Sequence, residues 1–190
     1  MSQNKRTELI RKALLLFYRN GFHATGMDLV AKETGVSKTS IYKHFRTKEE
    51  LILAVLRLRD ENFRSWLYRR MDELSQTPKG QMLAMFDILK EWFEEDNFQG
   101  CMFIKASAEF QEKDHAINVH AYAHKQMLVD HLANLAAQAG YPHPEDLARK
   151  LLILKEGAIV IAAMSHDCAS AREAKAVAEV LLAQPHPASD

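Results

Sequence analysis

Thr25-Gly-Met-Asp-Leu-Val-Ala-Lys-Glu-Thr-Gly-Val-Ser-Lys-Thr-Ser-Ile-Tyr-Lys-His-Phe-Arg-Thr-Lys-Glu-Glu-Leu51 is the stretch that decides the fold. Thr25 puts a hydroxyl at a helix N-cap, with the acid Asp28 three residues on. Leu29, Val30 and Ala31 follow, and Gly35 ends the helix in a left-handed turn that glycine tolerates. Ser37 caps a second short helix, over 37–45, whose bulky positions are Ile41, Tyr42 and Phe45. Val36, apolar, plugs the angle between the two. Thr47-Lys-Glu-Glu50 is a capping box that opens a long helix over 48–73. Two short helices joined by so tight a turn form the helix-turn-helix pattern.

Outward from this stretch the chain reads as helix from end to end. Upstream, Ile10, Ala13, Leu14 and Phe17 fall at i, i+3, i+4 and i+7, one apolar stripe that stops at Gly21. Downstream, helices are predicted over 79–96, 101–112, 115–139, 145–166 and 171–183, the last opened by Ser170-Ala-Arg-Glu173 as a capping box. Only 7 Gly and 5 Pro interrupt the 190 residues, and no stretch alternates with the period of two that strands need. The fold class is all-α, with about nine helices. A three-helix DNA-binding domain is predicted over 1–48. A larger helical domain follows over 49–184, its first helix (48–73) connecting the two, and 185–190 form a frayed tail.

Charge divides the chain more sharply than helix length does. Its 25 basic and 25 acidic residues cancel to a net charge of zero. Residues 1–48, however, hold 10 basic against 3 acidic side chains, a net +7, which leaves −7 on the rest. A basic head on an acidic body points to nucleic acid as the partner of the head. Within the second short helix, Ser37, Lys38, Thr39, Ser40, Tyr42, Lys43 and His44 offer side chains able to reach base edges and phosphates, while Ile41 and Phe45 face inward.

The residues from Ala13, Phe17, Gly21 and Phe22 through Leu51 resemble the DNA-binding signature of the TetR family of transcriptional repressors. Gly35-Val-Ser followed by Tyr42-Lys-His-Phe-Arg-Thr-Lys-Glu-Glu-Leu51 carries most of the likeness. The resemblance implies phosphate contacts from Thr25 and Lys48, backbone contacts from Tyr42 and His44, and base readout by Ser37, Lys38, Thr39 and Lys43. Thr39 stands where many members carry glycine, so operator specificity does not transfer from relatives. The implied function is a ligand-responsive repressor that binds a palindromic operator as a homodimer and is released by a small-molecule effector, with 49–184 as the effector-binding and dimerisation domain.

In the body, Gly157-Ala-Ile-Val-Ile-Ala-Ala-Met164 is apolar all round, and Ala174, Val177, Ala178 and Leu181 form a stripe on the final helix. The family arrangement makes these two helices a dimer interface, with Ile159, Ile161, Met164, Val177 and Leu181 as its residues. Candidate effector lining is Trp66, Phe86, Leu89, Phe93, Met102, Phe103, Tyr122, His124 and Met127, aromatic and adaptable side chains that suit an apolar pocket.

Other chemistry finds less support. His120, His124 and His131 share a helical face, and the i, i+4 pair could bind a metal, but without an obvious third ligand they read as boundary histidines, so no metal site is assigned, and no cofactor motif occurs. Glu156, inside a mostly apolar helix, must be paired or face a cavity. Cys101 and Cys168 match no zinc or redox spacing. Cys101 beside a helix start offers an alternative, a regulator that senses oxidants or electrophiles; a regulator with no effector is another. An enzyme using Cys101 and a histidine would need them brought together, and no Gly-rich phosphate loop or Gly-x-Ser-x-Gly elbow is present. The longest apolar run, eight residues, is too short to span a bilayer, which needs roughly 20. The polar N-terminus carries no signal-peptide core, so a cytoplasmic protein with no membrane partner is expected.

Overall fold

Helix starts and stops set the architecture. The computed structural model describes residues 3–183, and the tail expected at 185–190 lies outside them. All regular structure among the described residues is helical: α1 (Gln3–Asn20), α2 (Met27–Thr34), α3 (Lys38–Tyr42), α4 (Lys48–Leu74), α5 (Pro78–Phe93), α6 (Met102–Glu109), α7 (Ala116–Gln138), α8 (Pro144–Ser165) and α9 (Ala169–Leu182). Each element matches a predicted one to within a few residues at its ends.

Three of the expected caps form. The Ser37 hydroxyl accepts the Ser40 amide at 3.2 Å. Thr47 Oγ1 accepts the Glu50 amide at 3.2 Å, and the Glu50 carboxylate reaches back to accept the Arg46 amide at 2.7 Å, one residue before the cap. Gly35 caps α2 at φ +70°.

Two expected caps do not form. The N-cap of α2 is Gly26, with no side-chain capping bond. Thr25 instead donates its hydroxyl to the Gly21 carbonyl at 2.7 Å, satisfying an acceptor at the end of α1. Similarly, α9 begins at Ala169, one residue before Ser170. Ser170 is buried and donates to the Ala158 carbonyl on α8 at 2.9 Å. In both cases a hydroxyl read as a local cap serves an upstream carbonyl, just past α1 for Thr25 and within α8 for Ser170.

The chain groups into two compact units, and α4 and α7 run through both. The first holds the described residues up to Phe63 together with Cys101–His124, so α6 and the start of α7 pack with α1, α2, α3 and the first half of α4. Its core is Leu9, Ala13, Phe17, Phe22, Val30, Ile41, Phe45, Leu51, Ile52 and Val55, all buried.

The second unit holds Arg64–Gly100 and the described residues from Lys125 onward. In it, α5 packs on α8 and α9 through Met82, Met85, Phe86, Leu89, Leu151, Ile159 and Leu182. Ala158, Ala162, Ala171, Ala174 and Ala178 are small enough to let α8 and α9 approach closely. Lys175 on α9 bridges to Asp87 on α5 at 2.7 Å, and Tyr141 donates to the Leu182 carbonyl at 2.7 Å.

Candidate nucleic-acid interface

Recognition by a helix-turn-helix needs a second helix whose polar side is free. In α3 only Ile41 is buried, and Phe45 just beyond it seats the helix on the core, with the Arg6 guanidinium over its ring at 4.8 Å. Ser37, Lys38, Thr39, Tyr42 and Lys43 are exposed, and His44 is half-buried. Six of the eight residues expected to touch DNA therefore lie on or beside one short helix. Its five residues are fixed from both ends by the Ser37 cap and the buried Phe45.

Besides the Ser37 cap, two of the lysines already have partners. Lys38 forms an exposed ion pair with Asp28 at 2.8 Å, and that hydrogen bond raises the lysine pKa. Lys48 donates to the His23 carbonyl at 3.3 Å. Thr25 is fully buried, and its hydroxyl is held by Gly21. Any phosphate contact at residue 25 would therefore come from backbone N–H groups at the start of α2, where the helix dipole favours an anion.

The candidate effector residues divide between the units. In the first, the Phe103 and His124 rings stack at 3.7 Å, and Met102 is buried beside Phe103 in sequence. His124 Nδ1 pairs with Asp60 at 2.6 Å, both side chains buried. Tyr122 is exposed. In the second, Trp66 and Phe93 both meet Trp92, at 6.5 and 6.0 Å between ring centroids. Phe86 and Leu89 are core, and the Met127 carbonyl accepts the Tyr68 hydroxyl.

The three histidines of α7 take separate environments. His131 stacks on Tyr68 at 3.7 Å, and burial lowers its pKa. Burial also lowers that of His120, whose Nε2 is buried without a hydrogen-bond partner. Among the described residues no three His, Cys, Asp or Glu side chains converge as metal ligands. Cys101 is buried and Cys168 half-buried, and neither is in a disulfide.

Sequence reasoning missed Asp60, Trp92 and Glu109. Asp60 is spaced like any charge on an amphipathic helix, and only the fold brings it to His124, 64 residues away. Glu109 accepts the amides of Phe22 at 2.9 Å and His23 at 2.5 Å, contacts across more than 80 residues that no local pattern announces.

Of the dimer-interface candidates, Ile161, Met164 and Val177 are exposed, Leu181 is half-buried, and Ile159 lies inside the second unit's core. No helix among the described residues is long and apolar enough to cross a membrane.

Known proteins give this geometry its context. Residues 9–55 match the bacterial regulatory proteins of the tetR family. The HTH-type transcriptional regulator YjdC of Escherichia coli K12 is 22% identical over 178 residues, covering 94% of this chain and 93% of its own length. The HTH-type transcriptional activator FasR of Mycolicibacterium smegmatis is 36% identical over 89 residues, which cover 45% of this chain and 41% of that protein. A crystal structure of a TetR-family transcriptional regulator from Streptomyces coelicolor superposes with a TM-score of 0.87 and 28% identity, over 94% of this chain and 88% of that one. The match at 9–55 coincides with the helices that present α3, and the likeness in fold continues through the body. The chain belongs to the TetR family of DNA-binding transcriptional regulators.

Proposed function

We propose that this regulator is a cytoplasmic homodimeric repressor that binds a palindromic operator and leaves it when a small molecule binds the body. Residues 1–48 read DNA, and 49–184 hold the effector and the second copy. The observation that carries the dimer is the apolar exterior of α8 and α9. Ile153, Ile161, Met164, Val177 and Val180 stand exposed along 28 residues, where a solvated helix pair would present charge. Two heads then read half-sites about one helical turn apart, roughly 34–36 Å. Thr39 and Lys43 read bases, Tyr42, His44 and Lys48 bind phosphates, and Lys38 joins them once released from Asp28. Within the first unit, the Phe103 ring stacked on His124 and the buried Asp60–His124 pair supply an aromatic face and one polar pair that suit a mostly apolar effector.

The test begins with duplexes selected by the protein from a random pool. A palindromic product, bound by two copies, is expected. A Tyr42→Phe plus Lys48→Ala variant should remain folded and dimeric while losing salt-sensitive binding to that duplex. Selection of single, asymmetric half-sites would rule out the dimeric reading, and an effector screen that never releases DNA would rule out induction.

A further inference from the structure

Helix α6 ends against the loop that leads into the helix-turn-helix. The Glu109 carboxylate, about three-quarters buried, accepts the backbone amides of both Phe22 and His23 and pairs with His23 Nδ1 at 3.1 Å. One turn earlier, Lys105 donates to the Tyr18 carbonyl at 3.0 Å, one of the acceptors left over at the end of α1. Phe110 closes the contact, with its ring 6.1 Å from Phe22 and 4.7 Å from His23. The chain approaches closely here. A Cβ on Gly21 would lie 2.9 Å from Glu109 Oε1, and Gly21 sits at φ +84°. From the same loop, the His23 carbonyl receives Lys48 and the Gly21 carbonyl receives Thr25.

We infer that Glu109 is a positioning residue for DNA binding, whose carboxylate fixes residues 21–25 and through them the start of α2 and the seat of Lys48. Glu109 itself touches no DNA. A carboxylate taking two backbone N–H groups makes charge-assisted bonds, stronger than neutral ones. It replaces water as the partner of two amides in a loop that has no regular structure of its own. The inference rests on the DNA contacts assigned above to Lys48 and the start of α2.

Electrostatics and positioning predict opposite signs, which makes the test decisive. Removing a negative charge from a DNA-binding unit strengthens phosphate attraction if charge alone matters. Positioning predicts the reverse. On a duplex selected by the wild-type protein, Glu109→Ala should bind about tenfold more weakly or worse. Glu109→Gln, which keeps one carbonyl acceptor, should recover part of the loss. The order wild type, then Gln, then Ala supports the inference, whereas Ala or Gln binding as tightly as wild type or tighter overturns it. Gly21→Ala with Glu109 intact should also weaken binding, and the double variant should lose less than the product of the two losses.

Amide proton spectra cover the case in which Glu109→Ala melts below the assay temperature. The Phe22 and His23 amides should resonate far downfield in the wild type and move upfield in Glu109→Gln. Unmoved signals overturn the inference. If the wild type selects no duplex at all, the failure lies with the DNA contacts on which the inference rests.

Discussion

The α2–α3 pair and the α8–α9 pair are both helical hairpins, yet they finish their outer faces in opposite chemistry. In α2–α3, Met27, Val30, Ile41 and Phe45 are buried, and what remains outside is Ser37, Lys38, Thr39, Tyr42 and Lys43. In α8–α9 the interior is largely alanine, and the bulk is outside: Ile153 is 69% exposed, Ile161 52%, Met164 74% and Val180 68%. A phosphate surface rewards charge and hydroxyls, while another protein rewards hydrocarbon at about 25 cal/mol per Å² removed from water. On the function proposed above, two similar motifs in one chain are prepared for different partners, DNA for one and a second copy for the other, and the difference lies in which residues fail to be buried.

The largest expected effect tests the exception on the apolar face. Glu156 lines a shallow groove with Leu152, Ile153, Gly157, Val160 and Ile161. It accepts Lys155 at 2.8 Å and Lys125 at 2.7 Å. Burial alone would push its carboxyl up, but the two lysines outweigh burial and hold it at about 2. A carboxylate whose pKa falls on folding contributes stability that is complete above its unfolded value near 4.5 and is lost as pH drops toward 2. Glu156→Gln takes the carboxylate from a buried lysine and should cost about 3–5 kcal/mol at pH 7. In urea melts the gap between variant and wild type should narrow steadily from pH 5 to pH 2.5. A constant gap would mean that the ion cluster contributes little beyond packing.

Next in size is the apolar face itself. Met164→Asp or Ile161→Asp should shift the protein from dimer to monomer in sedimentation, weakening association by about 3 kcal/mol or roughly a hundredfold. Thermal unfolding of the monomer should hardly change, because both positions are already in solvent. Ile159→Asp makes the opposite pair of predictions, since Ile159 is buried within the protomer. It should unfold the second unit before any effect on association can be read. A dimer that survives Met164→Asp would place the interface elsewhere.

The sequence made the head more legible than the body because the signals in the head are local. Gly35, Ser37 and Thr47 act within three residues of where they stand, so chain order alone locates the turn, the recognition helix and the start of α4. The misread hydroxyls mark the limit of that reasoning. Thr25 stands two residues before α2 and donates to the Gly21 carbonyl four residues back, just past α1, whereas Ser170, one residue into α9, donates to the Ala158 carbonyl of α8, which comes within reach only once α8 and α9 have packed. The site residues follow the same rule. Exposure along α3 could be read from its periodicity. The Asp60–His124 pair, the Lys125–Glu156–Lys155 cluster and the Glu109 contacts join parts of the chain separated by 31 to 87 residues. Tertiary packing alone decides such partners, so sequence could offer Glu156 only as a charge in need of one.

A smaller effect probes the charged face. Lys48→Ala should weaken binding about tenfold, equally for selected and random duplexes, and reduce the slope of log affinity against log salt by about one. That uniformity would identify a phosphate contact. A loss confined to the selected duplex would mean that Lys48 shapes base readout instead.

The smallest expected effect separates the two roles open to Lys38. Its ammonium is held by Asp28 in free solution, at an exposed pair of the kind that contributes little to stability. DNA must compete with that carboxylate for the lysine. Asp28→Asn removes the competitor along with a negative charge near the phosphates, so affinity should rise by roughly threefold. The distribution of the gain is the informative quantity. If Lys38 binds a phosphate, selected and random duplexes gain equally. If it reads a guanine edge, the selected duplex gains more, and Lys38→Ala then relaxes the preference at a single base pair. A fall in affinity would show that Asp28 orients the lysine toward the groove, making the ion pair part of the recognition surface rather than a restraint on it.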